Sequence, residues 1–290
     1  HIGSDFLFGD NAYVTRSATN VVERVASRQY SAALDGGVPV PFESNGGDDT
    51  IFGNNGDNSV VGSPDIIVGG YGNDVIAGND GNDVIFGDRG VVVLDDPNND
   101  ADNYDNIDDD WMIYSTSPEW GGNDIIKGDF GEDMLIGGTG DDVINGDLAA
   151  DVLIGDSGSF NRQWRQGLLT IGRAETIHPE HGGNDTLIGN AGQDTLFGGT
   201  GDDILYPYET DPTFGTDDGS ILLGDNGVEV REDDTSTYDY NIYSTDPGYG
   251  GLDTIYGTVN ADIIIGGSGG SDQQAVLDPL ATITIDVNGM

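Results

Sequence analysis

The stretch Gly69–Asp88, GGYGNDVIAGNDGNDVIFGD, sets glycine and aspartate every nine residues around apolar triplets, VIA and VIF. A helix is excluded, because glycines at this density cost about 1 kcal/mol each relative to alanine. Three-residue apolar runs also suit a hairpin sheet poorly. The pattern requires turns and very short strands in regular alternation.

The same frame runs through the chain. Counting an acidic or polar residue as the sixth position of a nonapeptide, it falls at Asp5, Asp49, Asn58, Asp65, Asp74, Asp83, Asp124, Asp133, Asp142, Asp151, Asp185, Asp194, Asp203, Ser220, Asp253 and Asp262. Two residues after each of these sixteen positions stands an aliphatic residue, from Leu7 and Ile51 to Ile255 and Ile264. Four residues after stands glycine, with Pro207 as the exception.

Composition bounds the rest. The 290 residues include 53 Asp and Glu against 9 Lys and Arg, a formal charge of -44. Self-repulsion on that scale opposes a compact state unless cations neutralise it. It also argues against nucleic acid as a partner. An apolar content of 36% exceeds that of a disordered acidic tail, so the expectation is cation-dependent order. No apolar run approaches the roughly 18 residues of a membrane-spanning helix, and no secretory signal peptide opens the chain. Beginning on His1, the chain reads as a piece of a longer protein. Without cysteine it holds no disulfides.

The nonapeptide resembles G-G-x-G-x-D-x-U-x of the repeats-in-toxin (RTX) family, over about half the chain in four blocks. The resemblance implies an all-β parallel β-roll, a β-solenoid of calcium-binding repeats with β-rich inserts, and export by type I secretion to the outside or surface of a bacterium. Backbone physics leads to the same fold. Six residues form a turn in which glycine permits positive φ and close approach, and three form a strand whose middle side chain points inward. Two nonapeptides close a coil, residues eighteen apart stack at about 4.8 Å, and eight coils make a roll about 40 Å long.

Stacking also aligns carboxylates. Two charges about 4 Å apart at an effective dielectric near 20 repel by about 4 kcal/mol, repeated at every pair of turns. Calcium, which takes six to eight oxygens from carboxylates and carbonyls, answers that repulsion better than magnesium with its stricter octahedron. The expected pairs are Asp65 with Asp83, Asp124 with Asp142, Asp133 with Asp151, and Asp185 with Asp203. Second-position residues, Asn79, Asp88, Asp129, Asp147, Asp156, Asn190 and Asp225, either add ligands or bond the turn backbone.

Four inserts interrupt the roll, at roughly 11–45, 89–120, 157–181 and 226–249, with a smaller loop at 207–219. They leave through similar phrases, GDNA from Gly9, GDRG from Gly87, GDSG from Gly155 and GDNG from Gly224. They return through IYSTSPEWGGND, AETIHPEHGGND, IYSTDPGYGGLD and a looser VPVPFESNGGDD. The departure glycines lie 78, 68 and 69 residues apart, a larger module of about 70 residues. Four nonapeptides are two coils, so the last three inserts should share an edge. The first block counts five units, which would send its insert from the opposite edge. The inserts hold all eight arginines and all three tryptophans. GVVVL, WMIYST, GVEV and NIYST read as β-ribbon legs, and NVVERVASRQYSAAL as a short amphipathic helix. These arms either cover the roll or reach partners. The last residue of each nonapeptide faces outward and is often apolar, as at Phe52, Val61, Val68, Phe86, Ile136, Ile154, Ile188, Phe197, Tyr206, Leu223, Tyr256 and Ile265. Inserts or a second protomer should cover that face. The terminal segment 274–290 alternates like a strand that caps the roll or adds to another chain's sheet.

Phrases that imitate catalytic motifs fall short of them. GDSGS at 155–159 imitates the surroundings of a serine nucleophile, but its Gly-Asp is an insert junction. GGSGG at 266–270 lacks the strand-turn-helix of a nucleophile elbow. HPEH at 178–181 is not H-E-x-x-H. DDPNNDAD at 95–102 resembles an EF-hand loop without its Gly and terminal Glu. Asn184-Asp185-Thr186 is a formal glycosylation sequon. The sequence therefore points to no enzyme. It points to a calcium-folding structural segment of an adhesin, surface layer, matrix or filament that assembles with copies of itself. The alternative is the calcium-folding carrier of a secreted hydrolase or toxin.

Overall fold

In a computed structural model the chain is described at residues 5–10, 12–16, 22–27, 30–31, 40–41, 47–53, 64–94, 111–165, 168–207, 219–233, 238–258, 262–267, 276–277 and 284–285. The described residues form strands and turns without a helix. Hence there is among them no helix long and apolar enough to cross a membrane.

The nonapeptides wind into a parallel β-roll. One face is a nine-stranded sheet in the order Phe6–Phe8, Ile66–Val68, Val84–Phe86, Met134–Ile136, Val152–Ile154, Thr195–Gly199, Ile221–Asp225, Ile263–Ile265 and Thr284–Ile285. The second face has eight strands: Thr50–Phe52, Val75–Asp80, Ile125–Phe130, Val143–Leu148, Thr186–Ala191, Ile204–Tyr206, Thr254–Gly257 and Val276–Leu277. Along the chain, strands alternate between the faces. Leu135 pairs beside Ile85 on one side and Leu153 on the other, as an eighteen-residue coil requires. The middle residue of each triplet points inward because side chains alternate along a strand. Ile67, Ile126, Leu135, Ile144, Leu187 and Leu205, fully buried, run down the interior as one spine with their counterparts.

The inserts contribute a third sheet. Each is a hairpin with an outgoing and a returning strand: Ala12–Arg16 with Val22–Ser27, Gly90–Val93 with Trp111–Ser115, Gly158–Arg165 with Leu168–Thr176, and Gly227–Asp233 with Tyr238–Ser244. Consecutive hairpins pair edge to edge, with Val25 opposite Val92, Ile113 opposite Phe160 and Ala174 opposite Glu229. The result is one eight-stranded antiparallel sheet. It lies on the nine-stranded face, where Val25, Val92, Ile113, Phe160 and Ala174 pack against outward side chains such as Phe86, Ile136, Ile154 and Phe197. Burial of each large apolar side chain there stabilises by about 1.5–3 kcal/mol. Glu229, the acidic member of that row, is fully buried and held by Arg231, Nε to Oε1 2.8 Å and Nη2 to Oε2 3.2 Å.

Each insert therefore covers the roll, and only on one face. Val68, Phe86, Ile136, Ile154, Phe197 and Leu223 are buried beneath the insert sheet, while Phe52 on the second face is 63% exposed. Val75, Ile125 and Val143, the first residues of their triplets on that face, are exposed as well. Val61 lies outside the described residues.

Two expectations are corrected. The segment around NVVERVASRQYSAAL holds a strand at Val22–Ser27, not a helix, because Ala12–Arg16 of its own hairpin and Gly90–Val93 of the next offer it sheet partners on its two edges. And all four inserts leave the same edge, since Gly9, Gly87, Gly155 and Gly224 all follow strands of the nine-stranded face. The first-insert expectation failed at Asn58. Thr50–Phe52 before it and Ile66–Val68 after it lie on opposite faces, as successive half-coils do, so the alternation passes over that unit. Asn58 itself lies outside the described residues.

Candidate metal centres

Each sixth-position aspartate sits at the end of a turn, directly before a strand, and from Asp65 onward its carboxylate is turned toward the preceding coil on the same face. One oxygen, Oδ1, accepts the backbone N–H of the aspartate stacked there. Asp65 donates to Asp83 at 2.7 Å, Asp124 to Asp142 at 2.7 Å, Asp133 to Asp151 at 2.8 Å and Asp185 to Asp203 at 2.8 Å. All four expected pairs are thus neighbours. Asp5, Asp49, Asp74, Asp83, Asp142, Asp151 and Asp203 donate in the same way to Asp65, Asp74, Asp124, Asp133, Asp185, Asp194 and Asp253. Ser220 takes the place of one aspartate, accepting from Asp194 and donating to Asp262.

The second oxygen is the chemically telling one. In Asp74, Asp83, Asp124, Asp142, Asp151, Asp185 and Asp203, Oδ2 is buried without a hydrogen-bond partner. It lies over the first glycine of its own turn and, in all of these but Asp151, beside the carbonyl oxygen of the first glycine one coil along. At Gly137 an added Cβ would overlap both Asp142 Oδ2 and the Gly155 oxygen; at Gly155 it would meet Asp185 Oδ2 and, at 2.6 Å, the Gly198 oxygen. Two acceptors facing one another with no proton between them form a seat for a cation. The fourth-position carbonyls stack likewise: Gly140 carries φ +126°, and a Cβ there would strike the Gly122 oxygen. Glycine is required at both positions for close backbone approach.

Among the described residues no three His, Asp or Glu side chains gather on one point. Any ion held here draws mainly on backbone carbonyls with one carboxylate from each half-coil. Carboxylate and carbonyl oxygens are the hard donors that suit calcium, so the residues fit it.

Burial makes the carboxylates hold protons when nothing else neutralises them. It pushes Asp74 and Asp83 up to about 7, and Asp124, Asp185 and Asp203 up to about 8. Asp142 and Asp151 are driven well above the usual range by burial, with neighbouring aspartates adding to it.

The second-position residues divide into two groups. Asn79, Asp129, Asp147 and Asn190 end strands of the second face with φ of 71° to 74°, aligned with one another across the sheet. Asn190 Nδ2 donates to Asn145 Oδ1 at 2.6 Å and Asp147 Oδ1 at 3.3 Å, and Asn79 Nδ2 donates to the Gly53 carbonyl. Asp88, Asp156 and Asp225, each buried, instead fasten the necks of inserts. Asp88 accepts N–H bonds from Gly122 and Thr139, Asp156 from Gly183 and Thr200, and Asp225 from Gly251. Asp10 does the same with Tyr71 at 2.6 Å. Sequence reasoning passed over Asp10, although the Gly-Asp shared by every departure phrase marked it. Beside the second neck the Arg89 guanidinium lies 3.9 Å from the centroid of Tyr71, which meets Trp120 edge-on.

A further ladder was missed. Fifth-position Asp48, Asn73, Asn123, Asp141, Asn184 and Asp202 each accept, through a side-chain oxygen, the backbone N–H of the residue stacked in the following coil. It runs opposite in sense to the sixth-position ladder, so each pair of coils on this side is tied in both directions. The signal was the run of Asp or Asn before the frame aspartate, unbroken on the second face until Leu252.

A family model for the RTX calcium-binding nonapeptide repeat matches four times, at residues 42–64, 62–94, 127–159 and 181–207. These are RTX calcium-binding repeats. No curated protein matches the chain, and no solved structure does. RTX repeats bind Ca2+, with several ions along an array. Outside the matched residues, Asp5, Asp253 and Asp262 continue the same ladders.

The catalytic lookalikes take structural places among these repeats. Ser157 is buried in an insert neck, its carbonyl accepting the N–H of Ile177. HPEH is a return turn, His181 N–H to the His178 carbonyl at 3.0 Å with φ +57° at His178. Ser117 to Trp120 and Asp246 to Tyr249 repeat that turn. Residues 95–102 lie outside the described set.

Proposed function

We propose that this chain is a calcium-folding structural segment of an extracellular or cell-surface protein, an adhesin, surface-layer, matrix or filament component, that becomes a rigid rod on meeting calcium outside the cell. Its ions are held by sixth-position aspartates through Oδ2 and by first- and fourth-position carbonyls of adjacent coils. Bound calcium supplies the positive charge that the stacked carboxylates lack. The aspartates then keep Oδ1 on the backbone of the preceding coil, and the spine stays dry. RTX repeats are typical of secreted bacterial proteins, which accords with the outside of the cell as its location.

The observation that favours a structural role over a secretion carrier is the insert sheet. A carrier needs only the roll, whereas here every module adds a hairpin that zips to the next and stiffens the array. Circular dichroism and sedimentation of chelator-stripped protein titrated with calcium test the reading. The expected result is a gain of β signal together with compaction. A full β signal without metal at alkaline pH, where the buried aspartates have lost their protons, would refute it.

A further inference from the structure

The hairpin junctions inside the molecule define how one module meets the next, and among the described residues the two outer strands of the insert sheet carry the two halves of that junction unused. At each internal junction the central residues are buried: Val25 and Val92, Ile113 and Phe160, Ala174 and Glu229 are each at most 1% exposed. In the shared numbering of the hairpins, Val14 stands where Val92, Phe160 and Glu229 stand, and Ile242 where Val25, Ile113 and Ala174 stand. Val14 is 36% exposed and Ile242 only partly buried, because Ala12–Arg16 and Tyr238–Ser244 are the outer strands of the insert sheet. Open strand edges of this kind are templates for another chain.

At two of the three junctions a hydroxyl accepts the first N–H of the next hairpin, and it has its counterpart at the free edge. Ser115 Oγ accepts the N–H of Gly158 at 3.1 Å, and Thr176 Oγ1 that of Gly227 at 3.0 Å. Ser244 occupies the same place in the last hairpin, and Ala12 the place of those glycines in the first.

The roll is complementary at its ends too. Within each module the strand before an insert closes the nine-stranded face, and Phe6–Phe8 is such a strand with no earlier coil among the described residues. It brings Asp5 and Gly9, a full half-site. At the other end the corresponding slot is filled by Thr284–Ile285, beside Ile263 and Ile264. In the sequence Ile283 precedes that strand, where the ladder positions carry aspartate.

Resting on the structural reading above, we propose that a second copy of this chain docks head to tail in calcium. Its Ala12–Arg16 pairs antiparallel with Tyr238–Ser244, Val14 opposite Ile242, and its Asp5–Phe8 replaces Thr284–Ile285 as the closing strand. The terminal strand is then a stopper that holds the end until a copy arrives. Repetition of a heterologous contact that does not close on itself gives a linear filament.

The test is sedimentation velocity of the full chain in calcium with V14K, I242K and I285D, each checked for calcium-dependent folding by circular dichroism. Unmodified protein should form concentration-dependent chains, and I285D, with its stopper loosened, longer ones. V14K alone and I242K alone should be monomeric, whereas their equimolar mixture should give heterodimers, since one intact head and one intact tail remain. A monomeric unmodified protein and I285D, or oligomers that persist in both single variants, overturns the proposal. Folding without calcium at alkaline pH would instead sink the calcium reading itself, so the two failures are distinguishable.

Discussion

Asp142 separates the two jobs of a ladder carboxylate. Its Oδ1 accepts the buried N–H of Asp124 at 2.7 Å, while Oδ2 faces the Gly155 carbonyl with no proton between them. D142N keeps an acceptor for Asp124 and places an amide donor against Gly155, removing the charge but not the ladder bond. D142A removes both and leaves a buried N–H without a partner, at a cost of about 1–3 kcal/mol. Both variants should bind fewer calcium ions than the parent, by at least one, counted by isothermal titration or metal analysis. In saturating calcium, urea denaturation should place D142A below D142N by about that 1–3 kcal/mol. Unchanged ion stoichiometry in D142N would show that Oδ2 is not a ligand. Equal stability of the two variants would show that the ladder bond contributes nothing.

The pH dependence of the metal-free chain follows from the buried aspartates. Asp74, Asp83, Asp124, Asp185 and Asp203 have folded values of about 7 to 8 against 3.8 unfolded, so their protonation favours the roll. Without calcium, β signal should be greatest near pH 4 and lost as pH rises through 7 to 8; a maximum at pH 8 in chelator would contradict this. Phe160→Ala, at the junction of insert sheet and roll, should cost about 3–5 kcal/mol in calcium, while Phe52→Ala on the uncovered face should stay within about 0.5 kcal/mol. Chemical denaturation in calcium reads both, and equal effects would mean that the insert sheet does not hold the roll. Asp156→Ala leaves the N–H groups of Gly183 and Thr200 without their acceptor, so proteolysis should cut the 157–181 insert faster than in the parent.

What the sequence revealed and what it hid have the same physical origin. Contacts between residues nine or eighteen apart repeat along the chain, so the frame of Leu135, Ile144 and Leu153 announced strand, turn and spine together. Contacts between hairpins do not repeat at a short period. Ile113 and Phe160 meet across 47 residues through hairpins whose sequences differ, and nothing local to either names the other. The neck aspartates were visible as Gly-Asp phrases, yet their acceptor role depends on where the insert returns. Asn58 misled because a motif match was counted as a half-coil, whereas the described strands before and after it already alternate between the faces.

The module length has a physical reason that lies in strand number, not residue number. From one insert to the next the chain lays two strands on each face of the roll and two in the insert sheet. All three sheets therefore advance about 9.6 Å per module, two strand spacings of about 4.8 Å, and stay in step. A module with a third coil, or a hairpin reduced to one strand, would put the insert sheet out by a full strand spacing, and each later module would add to the offset. The departure glycines can lie 78, 68 or 69 residues apart because loop length leaves the strand count untouched. By the same reasoning, duplicating one complete module, from Gly155 to Leu223, should extend the rod without loss of stability, whereas duplicating a single coil should split the insert sheet from the roll at that point. Denaturant midpoints of the two insertion variants in calcium would decide it, and equal midpoints would refute the commensurate-step argument.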